Sequence, residues 1–472
     1  MRSLYLGLDF GTSGARAVLV SVGSDIRLRL GCRYPPQLPL PNQWSIALRT
    51  LLDRIPPPLR RELRAIAIDG TSGTTLVCDA DGLPVFPPLL YNDSRAADQL
   101  SQLRQIASPT SIVLSATSGL AKLSWFGQQP GFSQVRHCLS QADWLGFLLH
   151  GQLGISDYHN CLKLGYDART LQFPQWLLDL PLGSEPAIRA ADLLPCVVPP
   201  GTPIAPVTPA IAREYYLSPD CLVCAGTTDS NAAFIASGAD TVGTAVTSLG
   251  STLAVKLLST TPVESSLYGI YSHRWGNCWL VGGASNVGGA MLRHFFGDDE
   301  LARLSRHIDP QQSSPLDYYP LLHPGDRFPS NDPHLLPRLT PRPESDVEFL
   351  HGLLESMARI EAQGYRLLQE LGATPLTHVY TAGGGAENST WMAIRARHLQ
   401  VPVEPALQTD AAFGAALLAL KGSTGSSSDA WRNYVMKPQA KEAKILSAQI
   451  APRAVMANSH ALEKVVANAS KV

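Results

Sequence analysis

Leu4-Tyr5-Leu6-Gly7-Leu8-Asp9-Phe10-Gly11-Thr12-Ser13-Gly14-Ala15-Arg16-Ala17-Val18-Leu19-Val20 reads as strand, tight turn, strand. Gly11 and Gly14 permit a turn that side chains would block. The pattern returns at Ala245-Val246-Thr247-Ser248-Leu249-Gly250-Ser251-Thr252-Leu253-Ala254-Val255-Lys256-Leu257-Leu258, with Gly250-Ser251 aligned on Gly11-Thr12. Such a repeat predicts two domains of related build. The boundary falls near Ala236 to Val242, giving a first domain over 1–236 and a second over 237–422.

Working outward, Ala65–Ile68 is a strand candidate ending in Asp69-Gly70-Thr71-Ser72-Gly73, and Thr74–Cys78 follows, an all-β start. From about Ala96 to Leu180 the pattern turns helical. A buried strand around Cys221 leads through Gly226-Thr227-Thr228-Asp229 into a helix start at Ser230. The apolar residues Val347, Leu350, Leu354, Met357, Ile360 and Leu367 recur near a 3.6-residue period and predict a long helix over Asp346–Glu370. Strand His378–Thr381, loop Ala382–Ala386 and helix Asn388–Leu399 come next, and a last helix spans Ala411–Leu420. Beyond Gly422 the Ser/Thr/Gly composition predicts a linker, and residues 423–472 are expected to be a poorly ordered tail that the chemistry does not need.

Apolar residues make up 45% of the 472 and charged residues 16%, as in an ordinary globular protein. Lys+Arg (38) balance Asp+Glu (39), so neither a nucleic-acid nor a membrane-surface role has electrostatic support. No apolar run is long enough for a membrane span and no signal peptide is visible; a cytoplasmic enzyme with reduced thiols is expected, as monomer or homodimer. Cys221 and Cys224 form a lone C-x-x-C in an apolar run and are read as core packing.

No G-x-x-x-x-G-K-[ST] occurs, and Gly7, Gly11 and Gly14 lack G-x-G-x-x-G spacing. What the chain holds is three Gly/Ser/Thr loops after strands and two acids at strand ends, Asp9 and Asp229. Phosphoryl transfer asks for such parts: N–H groups and hydroxyls around phosphates, a carboxylate-held Mg²⁺ and a group orienting the attacking hydroxyl. Gly11-Thr12-Ser13 and Gly250-Ser251-Thr252 suit phosphates, and Gly383-Gly384-Gly385 lets a purine approach the backbone at a helix N-terminus. Each part also has a plain reading: an ordinary hairpin, a tight connection between helix and strand, and for Asp229 a helix N-cap.

The ordered series D-F-G-T-S-G at 9–14, K-L-S-W at 122–125, Q-A-D-W-L at 141–145, S-D-Y-H-N at 156–160, G-T-T-D-S at 226–230, S-L-G-S-T at 248–252, A-G-G-G-A-E-N at 382–388 and D-A-A-F-G-A-A at 410–416 resembles the FGGY carbohydrate kinases. The resemblance runs from Leu4 to about Gly422. It implies two actin/hexokinase-like (ribonuclease H-like) α/β domains around a cleft, ATP with Mg²⁺, and a polyol or ketose substrate. Carried over, it makes Asp229 the general base and Asp9 the Mg²⁺-associated carboxylate, both beside the sugar. Gly11, Thr12, Ser13, Gly250, Ser251 and Thr252 would contact phosphates, and Gly383, Gly384, Gly385 and Asn388 would face the adenosine. Thr71 and Ser72 would bind the sugar. Trp391 would stack on the base or serve as core; Asp93 and Arg95 would hold the sugar or pair with each other. K-L-S-W is followed by Gly127-Gln128-Gln129-Pro130 instead of the usual acidic stretch.

The small-hydroxyl loop at 71–72, K-L-G-Y-D at 163–167 and R-P-E-S-D-V-E at 342–348 are most similar to a cyanobacterial and plant subgroup regarded as D-ribulose kinases. That resemblance implies D-ribulose 5-phosphate as product, with D-xylulose as the alternative. From another class, a non-catalytic ATP-binding module of the actin-like clan remains open at this point, although the presence of both Asp9 and Asp229 speaks against a degenerate enzyme.

Overall fold

The computed structural model describes residues 3–183 and 187–425. Leu4–Phe10 (β1), Gly14–Ser21 (β2) and Ile26–Arg33 (β3) form an antiparallel meander, and Leu63–Gly70 (β4) adds parallel to β1. Leu222–Thr228 lies parallel to β4, and the edge strand Pro203–Pro206 completes the sheet antiparallel to it. In chain order these two are β5 (Pro203–Pro206) and β6 (Leu222–Thr228), so the sheet order is β5-β6-β4-β1-β2-β3. β1 is buried along its whole length, as a strand covered on both faces must be.

The second sheet repeats this build. Thr244–Leu249 (β7), Leu253–Ser259 (β8), Tyr271–Trp275 (β9), Cys278–Ser285 (β10), His378–Ala382 (β11) and Val403–Pro405 (β12) lie in the order β9-β10-β8-β7-β11-β12. Antiparallel β10-β8-β7 followed by parallel β11-β12 matches β3-β2-β1 followed by β4-β6. The sequence repeat is therefore a repeat of topology. Ser248 stands where β1 has Asp9, and Ala382, its partner in register, stands where β4 has Asp69.

Two expectations need correction. The start is not all-β: Leu40–Arg54 (α1) crosses between β3 and β4, with Trp44, Ala47, Leu48, Leu51 and Leu52 buried at helical spacing. The 96–180 stretch is broken into short pieces, chiefly Gly119–Gly127 (α2) and Gln141–His150 (α3), with the strand His137–Ser140 between them and Ile155–Asp157 after them. Gly131, Gly151 and Gly154 at positive φ interrupt longer helices there.

Asp229–Ala236 (α4) follows β6, the long helix is Asp346–Glu370 (α5), Ser389–Leu399 is α6, and Ala411–Thr424 is α7. α7 runs through Ser423 and Thr424, where a linker was expected; residues from 426 onward, the rest of the expected tail, lie outside those described. Although α7 follows the second sheet in sequence, it packs on the first, in one cluster with Tyr5, Val18, Ala65 and Ala67. Its alanines and Gly414 allow backbone approach: a Cβ on Gly7 would fall 1.9 Å from the Ala412 carbonyl oxygen, and one on Gly414 1.9 Å from that of Ala232 in α4. A sequence boundary that leaves 411–422 with the second domain thus separates a helix from the sheet it covers.

α4 lies between the domains, with Phe234 against Val246, Leu258 and Leu280 of the second sheet. His159 also joins them. Its Nε2–H donates to the Arg274 carbonyl (2.7 Å), so Nδ1 accepts from the Thr227 hydroxyl (2.7 Å), and burial lowers the imidazole pKa to about 3. The neutral ring stacks on Trp275. Cys221 and Cys224 are free thiols buried in separate clusters, each pushed up to about 12 by burial. Among the described residues no helix is long and apolar enough to cross a membrane.

Candidate active site

β1 and β4 run parallel in register, so the acids that end them, Asp9 and Asp69, are direct neighbours. Asp9 is 5% exposed and Asp69 0%. Burial pushes the Asp9 carboxyl up to about 6, the charges of Asp229 and Asp410 push the same way, and its neighbours Asp69 and Arg16 oppose. Asp69 is held well above the usual carboxylate range by burial and then by the charges of Asp9 and Asp229. Among the described residues no N–H or hydroxyl donor reaches either Asp69 oxygen, and its hydrogen-bond neighbour is the Asp9 carboxyl. Four carboxyl groups, from β1, β4, α4 and the N-cap of α7, thus share one field.

Such a cluster opposes folding. Asp9 costs nothing below its unfolded pKa near 4, where it is neutral in both states, and the penalty grows as pH climbs through about 6. The full penalty is on the order of 3 kcal/mol. Asp9→Asn should therefore raise the thermal midpoint at pH 8 without divalent cations, gain little at pH 4.5, and lose activity. Melting curves at the two pH values check this.

The loops after β1 and β7 are hairpin turns of one kind, while that after β11 leads through a 3-10 turn, Gly384–Glu387, into α6. Gly11 N–H bonds to the Gly14 carbonyl, and the Tyr34 hydroxyl donates to the Gly11 carbonyl at 2.9 Å, leaving Thr12 and Ser13 exposed. Gly250 N–H bonds to the Thr252 carbonyl, and Gly250, Ser251 and Thr252 are exposed. Gly383 has φ +86°, and a Cβ there would lie 2.5 Å from the Leu249 carbonyl oxygen and 3.4 Å from Gly250 N. The loops at 250 and 383 therefore meet, and only glycine lets them.

Below these two loops lies a buried polar network. Arg395 of α6 grips Glu361 of α5 with Nε (2.6 Å) and Nη2 (2.7 Å), and Nη1 donates to the Thr381 hydroxyl of β11 (2.7 Å). Thr247 of β7 donates its hydroxyl to Glu361. Both charged side chains have no exposed surface. Asn388 is used as a cap: its oxygen accepts from Trp391 N–H and its amide donates to Ser305 at 2.8 Å. Trp391 is 2% exposed within the second core, which is the packing reading of that residue.

Asp229 opens α4, its Oδ1 accepting from Ser230 N–H at 2.6 Å. Burial raises its pKa, while that hydrogen bond and the cations Lys256 and Lys163 pull it back. On the same side, Thr71 is committed: its N–H and hydroxyl donate to Gln141 Oε1 (3.0 Å each), and Thr74 lies 2.6 Å away. Ser72 is half-buried, and its hydroxyl has no hydrogen bond among the described residues. Lys122 of K-L-S-W donates to the carbonyls of Gly73 (2.7 Å) and Leu90 (2.6 Å) and so braces this loop from below. Asp93 and Arg95 pair with each other at 2.9 Å, and Arg95 lies over the Trp125 ring.

The structure thus brings Asp9 and Asp229 into one field and the loops at 250 and 383 into contact, while Thr71 and Asn388 have internal partners. Sequence reasoning left out Asp69, Asp410 and Lys256. Asp69 had a signal, since it ends a strand as Asp9 does. A lone lysine between Val255 and Leu257 was another.

Residues 245–423 match the C-terminal domain of the FGGY family of carbohydrate kinases. A xylulose kinase from Staphylococcus epidermidis is 21% identical over 448 residues, 89% of this chain and 88% of that one. Among solved structures, a "xyloylose kinase" from Brucella ovis superposes with a TM-score of 0.79 at 22% identity, covering 93% of this chain and 94% of the other. A glycerol kinase from Plasmodium falciparum with ADP has a TM-score of 0.78 at 14% identity, covering 93% of each. Both share the two-domain fold. Two topologically matched domains, an acid cluster on the first and facing glycine loops on the second agree with these likenesses: the chain carries the C-terminal domain of the FGGY family of carbohydrate kinases and is an ATP-dependent phosphotransferase.

Proposed function

We propose that this kinase phosphorylates D-ribulose to D-ribulose 5-phosphate in the cytoplasm, with Asp229 as general base. The observation that carries the base assignment is Asp229 itself, half-buried at the start of α4 in the fields of the cations Lys256 and Lys163 and of Asp9. Asp229 accepts the proton of the sugar hydroxyl as its oxygen bonds to the γ-phosphorus and the bond from that phosphorus to the bridging oxygen breaks, releasing ADP. Because the transition state is loose, the proton leaves late and a carboxylate of only moderately raised basicity suffices.

The nucleotide phosphates would lie along the exposed N–H groups and hydroxyls at 11–13 and 250–252, with adenosine against 383–385. Two adjacent buried carboxyls, one of them reached by no N–H or hydroxyl donor among the described residues, suit a hard cation that takes one or two carboxylates and completes its shell from phosphate and water. Asp9 would hold Mg²⁺, with Asp69 behind it. When bound, the ion neutralises charge on the phosphate oxygens. No set of three or more potential ligands among the described residues is arranged to hold a metal alone.

The sugar assignment is supported by the loop after β4, where Ser72 is the hydroxyl left free for a substrate. D-Xylulose is the second reading, favoured by the activity named for the relatives. The two pentuloses differ at one hydroxyl, and a site discriminates by what it leaves unpaired. ADP release should be followed with D-ribulose, L-ribulose, D-xylulose, glycerol and no sugar. The highest kcat/KM is expected with D-ribulose; a higher value with D-xylulose reverses the assignment, and turnover indifferent to every sugar removes it.

A further inference from the structure

A lysine in the middle of an apolar strand needs a reason, because its ammonium loses hydration there. In β8 the neighbours Val255 and Leu257 enter the core of the second domain, and the two-residue period turns Lys256 to the opposite face. That face meets α4. Lys256 Nζ donates to the Ser230 carbonyl (2.8 Å), the Ser230 hydroxyl (3.1 Å) and Asn231 Oδ1 (2.7 Å). All three N–H bonds of the ammonium thus go to the two residues that follow Asp229, across the domain boundary.

We propose that Lys256 is a positioning residue for phosphoryl transfer: it latches the second domain onto the first turn of α4, fixes the Asp229 carboxylate and keeps it ionised. The proposal rests on Asp229 being the base. The titratable groups facing Lys256 are Asp229 on α4, His159 in the turn Tyr158–Cys161, Lys163 just after it and His273 on β9. Burial holds both histidines neutral, so Asp229 is the negative charge facing two lysines. Desolvation lowers the Lys256 ammonium to about 7 against the pull of Asp229. Above that range a neutral amine has two N–H bonds for three acceptors, and the base loses its counter-charge. Toward acid, Asp229, whose pKa burial raises, takes up a proton. The active form lies between.

The test is kcat against pH at saturating sugar and ATP, from about pH 5 to 9.5, where each limb reports an essential group. Wild type should show an alkaline limb. Lys256→Arg, whose guanidinium stays charged, should lose that limb; Ser230→Ala, at an exposed side chain, should move it to lower pH by withdrawing one acceptor. Lys256→Met should cut kcat about tenfold, leave the KM for ATP within twofold and move the acid limb to higher pH. An alkaline limb unmoved in both Lys256→Arg and Ser230→Ala, with thermal midpoints showing folded proteins, overturns the latch. Turnover surviving Asp229→Ala would instead overturn the base assignment itself, so the two failures are distinguishable.

Discussion

Asp229→Ala is expected to lower sugar-dependent ADP release by about 10²–10⁴-fold, the usual share of a general base. The variant should still bind ATP, measured by calorimetry with a non-hydrolysable analogue. The separation follows from the architecture. Asp229 opens a helix attached to the first sheet, whereas the loops at 250 and 383 end strands of the second and touch each other. Removing one carboxylate also relieves Asp9 and Asp69, whose ionisation Asp229 opposes, so the folded protein should not suffer. Loss of nucleotide binding in this variant would mean that Asp229 serves the phosphates or the cation and not the sugar hydroxyl.

Arg395→Met should produce the largest loss of stability, about 3–5 kcal/mol, because it leaves Glu361 buried without its cation. The side chains involved come from α5, α6, β7 and β11, and Thr247 and Thr381 lie two or three residues before the loops at 250 and 383. The pair therefore sets the height of the strand ends on which the nucleotide would rest. KM for ATP should rise at temperatures where the variant is still folded, with the KM for sugar less affected. Adding Glu361→Leu should recover much of the stability, since replacing both members by apolar groups removes the unpaired charge. Recovered stability without recovered KM would separate the pair's part in folding from its part in shaping the loops. Melting midpoints and the two KM values check both.

Local regularities carried much of this in the sequence. The glycine-punctuated hairpin and its recurrence gave two matched sheets, because a turn that needs glycine leaves a readable mark wherever it is used. The 3.6-residue period gave α5 to its exact bounds. α1 was missed despite its own spacing of Trp44, Ala47, Leu48, Leu51 and Leu52, masked by the prolines around it. In the site, the ordered motifs pointed to Asp9, Asp229 and the three loops, each a short contiguous stretch.

What only the tertiary structure decided is everything that depends on which strands become neighbours. Asp69 becomes part of the acid cluster because β4 pairs with β1 in register, a contact between residues sixty positions apart. α7 leaves the second domain for the first sheet because its small residues fit against Gly7, and no local pattern says which sheet a helix of alanines will cover. Thr71, read as a sugar ligand, has Gln141 and Thr74 as partners, since a hydroxyl bonds whatever the fold brings within reach. Sequence determined the strands, turns and chemical inventory, which depend on a few adjacent residues. Long-range register and packing decided which of those groups share a desolvated field, and with it their charge states.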